Sequence, residues 1–229
     1  MEDKYKMNNE ISIKQVKILG NLRQTKSMDS LLKDLKSPEK VDKLLLILLD
    51  TSGSMSEGMG NSSKISVAWK VFHDKLLPNM AGWSYGLIKF GDNAQWELHP
   101  TTNITALARV TPHTSGMTAL GQALKIAWEW SKTYSKEARF IVLSDGRPND
   151  MNPDDILNMV KECRSIPIDT VGIGSGNSSS YDPIFLRTLS EITGGIFSEA
   201  SSVQMLSDTI KRLSPAERPL LGNPNKEVL

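Results

Sequence analysis

Apolar runs and amphipathic segments alternate along most of the chain. Residues 44–49 and 138–144 are dominated by apolar side chains. Runs of this kind are too short to cross a membrane, and they have the length of strands buried on both faces. The spacing of apolar residues predicts further elements, which are helices over 64–77, 119–134, 154–164, 183–193 and 203–213, and strands over 83–90, 95–98, 168–173 and 196–198. This alternation predicts an α/β fold with a doubly wound, mostly parallel sheet.

The pattern also divides the 229-residue chain into three parts. We expect an N-terminal extension over residues 1–42, one α/β domain over 43–214 and an irregular, proline-containing C-terminal tail over 215–229. Apolar positions in the extension predict a short strand and a helix. The favoured interpretation is that they pack on the main domain, and a separate partner-binding arm is the alternative.

Composition and charge exclude several classes of function. The net charge of +1 gives no support for binding to nucleic acid or to a membrane surface. Cys163 is the only cysteine, which excludes an internal disulfide framework and a multi-cysteine zinc site. No apolar stretch approaches the ~20 residues of a membrane helix, and the first ten residues lack the apolar core of a signal peptide. We therefore expect a cytoplasmic protein.

A carboxylate and two hydroxyls follow the first buried strand. Asp50, Ser52 and Ser54 occupy alternate positions directly after residues 44–49, so their side chains can face the same side of a turn. Open α/β sheets place binding sites at the carboxyl ends of their strands. These hard oxygen ligands suit Mg²⁺ or Mn²⁺ better than a soft metal. A second interpretation is that Asp50 and Ser52 only cap the following helix, because Asp and Ser are preferred N-cap residues.

A second carboxylate favours the metal interpretation. Asp145 directly follows the buried strand predicted over 138–144, just as Asp50 follows the first one. If the two strands are parallel neighbours, both carboxylates lie at the same edge of the sheet. We therefore expect Asp50 and Asp145 to lie close together.

These motifs resemble those of the von Willebrand factor A domain family over about residues 43–213. The metal-ion-dependent adhesion site of that family has Asp-x-Ser-x-Ser on one loop, Thr on a second and Asp on a third. The matching residues here are Asp50, Ser52, Ser54, Thr118 in Ser-Gly-Met-Thr, and Asp145 in Ser-Asp-Gly-Arg-Pro. The resemblance implies a Rossmann-like sheet of about six strands with one short antiparallel edge strand. It also implies Mg²⁺, with Mn²⁺ or Ca²⁺ as substitutes, bound by the three hydroxyls and by both carboxylates directly or through water.

The resemblance further implies a non-enzymatic function in binding another protein, whose Asp or Glu completes the coordination of the metal. The residues within these motifs are most similar to those of stand-alone intracellular prokaryotic members. Such members are associated with AAA+ ATPases or stress systems. We therefore expect a cytoplasmic adaptor or scaffold with a protein partner of this kind, and neither nucleic acid nor membrane as a ligand.

Four residues beside the motifs are predicted to form a partner-binding rim, and these are Met55, Met59, Met117 and Arg147. Methionine adapts its shape to varied protein surfaces, although for Met55 and Met59 a gap-filling role in the first helical turn is equally open.

The alternative function is a metal-dependent hydrolase that acts on a phosphoester, with His113 as general base toward Ser54 or a water. The sequence contains no phosphate-binding loop, no Asp-x-Asp pair and no Gly-x-Ser-x-Gly elbow. No catalytic residue is therefore assigned.

Overall fold

The computed structural model describes residues 41–103, 106, 113–114, 116–162, 166–174, 182–214 and 217. The predicted strand and helix of the N-terminal extension, Cys163 and nearly all of the C-terminal tail lie outside the described residues. The domain boundaries given above therefore stay a prediction.

A six-stranded sheet forms the centre of the described domain. Its strands are β1 (Val41–Asp50), β4 (Ser84–Phe90), β5 (Ala94–Thr101), β6 (Ser135–Ser144), β7 (Ile168–Ile173) and β8 (Phe197–Ala200), and a separate hairpin contains β2 (Gly58–Met59) and β3 (Ser62–Ser63). The order across the sheet is β5-β4-β1-β6-β7-β8, and every neighbouring pair is parallel except β4 with β5. The predicted mostly parallel α/β fold is confirmed.

Helices cover both faces of this sheet. They are α1 (Lys64–Val71), α2 (Leu120–Tyr134), α3 (Pro153–Lys161), α4 (Pro183–Thr193) and α5 (Val203–Arg212). The predicted helix over 64–77 differs from the structure, because α1 continues as a π-helical turn over Phe72–Leu76 and a 3₁₀ turn over Leu77–Asn79. Pro78 lacks the N–H that a continuing α-helix needs. Within the described residues no helix is long and apolar enough to cross a membrane.

The two central strands are buried on both faces. Side chains of β1 alternate between two apolar layers: Leu45, Ile47 and Leu49 pack with residues of α1 and α5, and Leu44, Leu46 and Leu48 pack with residues of α2, α3 and α4. Full burial of each Leu or Ile side chain contributes about 1.5–3 kcal/mol. The end of β1 is therefore held firmly in the core, and so is Asp50, its last residue.

The adjacency expected of the two acidic loops is confirmed. Strand β1 pairs directly with β6, with Leu49 opposite Leu143. The chain leaves both strands at the same edge of the sheet, where Asp50 ends β1 and Asp145 follows β6. The N-termini of α1, α4 and α5 also lie at this edge, because each of these helices follows the carboxyl end of a parallel strand.

Candidate metal centre

Asp50 has a fully buried carboxylate, with 0% of the residue exposed. Its Oδ1 accepts a hydrogen bond from the backbone N–H of Ser52 at 2.8 Å, and its Oδ2 accepts one from the hydroxyl of Ser144 at 2.5 Å. Burial raises the pKa of Asp50 to about 6, against the opposing effect of these hydrogen bonds, and the nearby charge of Asp145 adds to the rise. A cation placed beside this carboxylate would therefore stabilise its ionised form.

The two serines of the motif lie on a short 3₁₀ turn over Gly53–Ser56. Their hydroxyl oxygens are 3.1 Å apart. The helix-capping interpretation of Asp50 and Ser52 is wrong, because Ser52 makes no side-chain capping bond to this turn and Ser63 caps α1. The hydroxyl of Ser52 is thus left to face Ser54 at the edge of the sheet.

Asp145 divides its two oxygens between different partners. Its Oδ1 accepts a hydrogen bond from the hydroxyl of Ser54 at 2.7 Å, and its Oδ2 accepts one from the ammonium of Lys64 at 2.7 Å. The same ammonium lies 2.6 Å from Oε2 of Glu57. Although desolvation opposes charge on Lys64, its bonds and charge attraction to Asp145 and Glu57 prevail and raise the pKa of the ammonium. Lys64 therefore stays protonated beside the site.

Thr118 reaches the site on a loop that is fixed by two hydrogen bonds to Asn149. Its N–H donates to Oδ1 of Asn149 at 2.9 Å, and its carbonyl accepts from the N–H of Asn149 at 3.2 Å. Gly116 has a φ of +77°, and a Cβ at this position would lie 2.1 Å from the carboxylate carbon of Asp92. The positive φ favours glycine at this position, and any larger residue would also have to displace the Asp92 side chain. The loop thus holds buried Thr118 in one position.

The space beside Gly146 shows how closely the donors converge. A Cβ built on this glycine would lie 3.1 Å from Oγ1 of Thr118 and 3.7 Å from Oδ2 of Asp50. The five residues Asp50, Ser52, Ser54, Thr118 and Asp145 are therefore brought together around one small space. Three of them line an open cleft of about 440 Å³, whose walls are Ser52, Gly53, Ser54, Gly116, Met117, Thr118, Gly146, Arg147, Pro148 and Asn149.

This donor set fits a hard divalent cation. It consists of two carboxylates and three hydroxyls, and all of these are oxygen ligands of the kind that Mg²⁺ and Mn²⁺ prefer. No group of three or more His, Cys, Asp or Glu side chains suited to a metal occurs anywhere in the part of the chain that the structure describes. Coordination here would therefore depend on the hydroxyls as well as on the acids.

The structure places the four residues of the predicted rim in two different settings. Met117 is 55% exposed and lines the cleft, and so does Arg147, whose guanidinium bonds to Asp182 at 3.1 Å. Met55 and Met59 are buried in the core beneath α1, at 0% and 6% exposure. The rim interpretation of these two is wrong, because the 3₁₀ turn and the β2–β3 hairpin direct them inward to fill space, as the alternative interpretation had it.

Several neighbours of the site were not found from the sequence. Ser144, Lys64 and Asn149 form hydrogen bonds to proposed ligands, and Glu57 accepts one from Lys64. The signal for Ser144 was its place before Asp145, whereas Lys64 had only its place at the start of α1. His113, the candidate base, lies on an exposed loop and is not among the residues that line the cleft.

Comparison with known proteins agrees with the fold. The family model described as von Willebrand factor type A domain matches residues 45–147, a stretch that contains all five candidate ligands. None of the curated proteins compared with the chain matches it significantly.

Solved structures share the fold at low sequence identity. The protein BatB of Bacteroides thetaiotaomicron superposes with a TM-score of 0.60 at 17% identity, over 74% of this chain and 95% of that one. The von Willebrand factor type A protein of Catenulispora acidiphila gives 0.61 at 20% identity, over 77% of this chain and 43% of its own. The ArnB paralog VWA2 of Sulfolobus acidocaldarius gives 0.59 at 18%, over 78% and 46%.

The match thus covers nearly all of BatB but less than half of the other two proteins. At these sequence identities the superpositions show a shared fold and nothing further. Residues 45–147 therefore match the von Willebrand factor type A domain family in sequence, and the six-stranded sheet of this chain is that family's α/β fold.

Proposed function

We propose that this chain is a protein-binding module that depends on a divalent cation, Mg²⁺ by preference, and that it acts by binding rather than by catalysis. The observation that carries the proposal is the convergence of two carboxylates and three hydroxyls at one edge of the sheet, with Ser54 bonded to Asp145 and Gly146 leaving space between Thr118 and Asp50. Von Willebrand factor type A domains are in general protein-interaction modules. The chemistry of the site supports the same role for this chain.

Each ligand has a distinct part in the proposal. Ser52, Ser54 and Thr118 offer hydroxyl oxygens as ligands. Oδ1 of Asp145 lies beside them, since it accepts a hydrogen bond from the hydroxyl of Ser54. Asp50 would supply negative charge from the buried side of the site: burial raises the pKa of its carboxyl to about 6, and a bound cation would favour the ionised form. Mg²⁺ held by these residues would supply Lewis acidity and a position with exchangeable water, which would suit a carboxylate from a partner protein. Mn²⁺ or Ca²⁺ would be accepted as substitutes.

The surroundings of the cleft suit a protein partner. Five large apolar side chains are exposed within the described ranges. Four of them, Met117, Ile184, Val203 and Met205, lie at the carboxyl edge of the sheet, on the Thr118 loop or in the first turns of α4 and α5. Exposed apolar side chains at the same edge of a sheet as a polar centre are typical of protein interaction sites. We therefore propose a partner that presents an Asp or Glu among apolar residues.

The test compares two threonine variants in the full chain. Thr118→Val removes one proposed ligand and keeps the side-chain shape, and Thr133→Val makes the same change at an exposed position on α2. Mg²⁺ and Mn²⁺ binding is measured by titration calorimetry. Proteins retained from extracts of the native source are then identified by mass spectrometry, with Mg²⁺ and with EDTA.

We expect wild type and Thr133→Val to bind the cation and to retain the same partner in Mg²⁺ alone, and Thr118→Val to lose both. The identity of that partner then distinguishes an AAA+ ATPase from a stress-system component. Retention of the same proteins with EDTA and by Thr118→Val would overturn the metal-dependent mode of binding. Turnover of a phosphoester that requires Thr118 would overturn the non-enzymatic assignment.

A further inference from the structure

Lys64 lies at the back of the candidate metal centre. It is the first residue of α1, and it is 7% exposed. Its ammonium lies 2.7 Å from Oδ2 of Asp145 and 2.6 Å from Oε2 of Glu57. A Cβ on Gly174, at the end of β7, would lie 3.7 Å from its Cε. The lysine is thus enclosed between two strand ends and the β2–β3 hairpin, and its charge is held in one place.

The contact with Asp145 separates the roles of the two carboxylate oxygens. Because Lys64 binds Oδ2, the other oxygen is left for the hydroxyl of Ser54 and for the space that the other ligands surround. Glu57 has a side chain that is 60% exposed, so solvent screens its charge more than that of buried Asp145. Lys64 therefore acts chiefly on Asp145.

The charge balance of the site follows from these contacts. Asp50 and Asp145 together carry two negative charges when ionised, and the ammonium of Lys64 offsets one of them. A divalent cation therefore leaves a surplus positive charge in the buried part of the site, whereas the same site without Lys64 would be neutral. Buried and partly buried charges act on one another strongly at such distances.

We propose that Lys64 is a positioning residue that weakens the intrinsic affinity of the centre for a divalent cation and, in exchange, strengthens the attraction of the loaded centre for a carboxylate. This inference rests on the proposed function, since it concerns the same cation and the same class of partner. If Lys64 only held α1 against the end of β6, its replacement would affect folding. It would not change the affinities for the cation and for the carboxylate in opposite directions.

The experiment uses Lys64→Met, which keeps the length of the buried stem and removes the charge, and Lys64→Arg, which keeps the charge. Mn²⁺ affinity is measured by titration calorimetry at about pH 7.5, which lies above the pKa of about 6 of Asp50. Binding of acetate to the Mn²⁺-loaded protein is followed by the paramagnetic broadening of its methyl proton resonance, at equal Mn²⁺ occupancy. Thermal unfolding shows whether each variant is folded.

We expect Lys64→Met to bind Mn²⁺ about tenfold more tightly and to broaden acetate about threefold less, because a nearby positive charge has been removed. Lys64→Arg should behave like wild type in both assays. Equal or weaker Mn²⁺ binding by folded Lys64→Met would overturn the inference while leaving the metal-dependent function standing. Absence of Mn²⁺ binding by wild type would overturn both.

A second variant tests the charge argument without disturbing the buried contact. Glu57→Gln removes the exposed negative partner of Lys64 and keeps the side-chain shape, so it leaves more of the lysine's charge acting on Asp145. We expect about twofold to threefold weaker Mn²⁺ binding, with acetate broadening equal to or above that of wild type. Tighter Mn²⁺ binding by Glu57→Gln would contradict the role assigned to Lys64, even if Lys64→Met failed to fold.

Discussion

The sheet contains buried acids in two very different surroundings. Asp169 on β7 forms an ion pair with Arg139 on β6, and its Oδ1 also accepts the N–H of Ile196 at 2.8 Å. Asp50, at the carboxyl edge, accepts hydrogen bonds from Ser52 and Ser144, and within the described part of the chain no lysine or arginine forms an ion pair with it. Both acids are 0% exposed.

The difference is between a buried charge that the fold pairs with a cation and one that it leaves without a cation. Around Asp169 the protein supplies its own cation, so the charge is balanced as soon as the chain folds. Around Asp50 it supplies only hydrogen-bond donors, and burial leaves a carboxylate with a pKa of about 6. A buried acid that lacks a protein counter-ion is a feature of sites that bind cations or perform acid–base chemistry. The three predictions below test this contrast.

Loss of the charge at Asp169 should have the largest effect on stability. Asp169→Asn leaves the buried guanidinium of Arg139 without its carboxylate, and we expect the free energy of unfolding to fall by about 3–5 kcal/mol. Asp50→Asn, measured at neutral pH without metal, should be neutral or stabilising, because it removes an unfavourable buried charge. Urea unfolding followed by circular dichroism measures both.

Asp42→Asn is the matched control, since its exposed pair with Lys136 is expected to leave stability unchanged. If Asp50→Asn proved as destabilising as Asp169→Asn, the proposed contrast between the two acids would be lost.

The pH dependence of stability should differ between wild type and Asp50→Asn. The pKa of Asp50 is raised from its ordinary 3.8 to about 6, chiefly by burial, so the folded state binds this proton more tightly than the unfolded chain does. Without metal, the contribution of Asp50 to stability therefore falls as the pH rises from about 4 through about 6. The change amounts to about 3 kcal/mol at 1.36 kcal/mol for each pH unit.

Other carboxylates titrate in the same range, so the measured quantity is the difference in unfolding free energy between wild type and Asp50→Asn, taken from about pH 4 to about pH 7 in the absence of divalent cations. If this difference stays constant over the range, the pKa of Asp50 is not raised in the folded state and the contrast with Asp169 is lost.

Added Mg²⁺ should stabilise the protein through the edge site alone. At a free concentration about 100 times the dissociation constant, binding to the folded state adds about 2.7 kcal/mol to the free energy of unfolding. We expect the same increment in Asp169→Asn, because that pair is separate from the site and distant effects add. Thr118→Val should gain little.

Unfolding with and without Mg²⁺ measures these increments, with Thr133→Val as the control. A smaller increment in Asp169→Asn than in wild type would show that the Asp169 pair and the edge site are coupled. The two acids could then not be assigned separate roles.

The positions of Asp50 and Asp145 could be predicted from the sequence because the ends of the buried strands are clear in it. Continuous apolar runs identified β1 and β6, and the acids directly after them had to lie at one edge once the strands were parallel neighbours. Thr118 came from a family resemblance and not from periodicity, since its loop bears no regular pattern. Its position depends on bonds to Asn149 that only the folded chain brings together.

The remaining errors concern the direction of side chains. Met55 and Met59 stand beside the motif in sequence, yet a 3₁₀ turn and a hairpin direct them into the core. Lys64 is distant from Asp145 in sequence and reaches it only because α1 begins beside the end of β6. Periodicity defines faces of regular helices and strands, and it does not define the orientation of residues in turns.

The loops of the centre are joined to one another by main-chain hydrogen bonds. The N–H of Gly53 donates to the carbonyl of Gly116 at 3.1 Å, that of Ala119 to Gly91 at 2.9 Å, and that of Thr51 to Phe90 at 2.8 Å. Because these three bonds involve no side chain, they do not depend on the exposed side chains that line the cleft. The choice of partner is therefore open to redesign, since exchange of the exposed Met117 side chain alters the wall of the cleft while the bonds that join the loops stay in place.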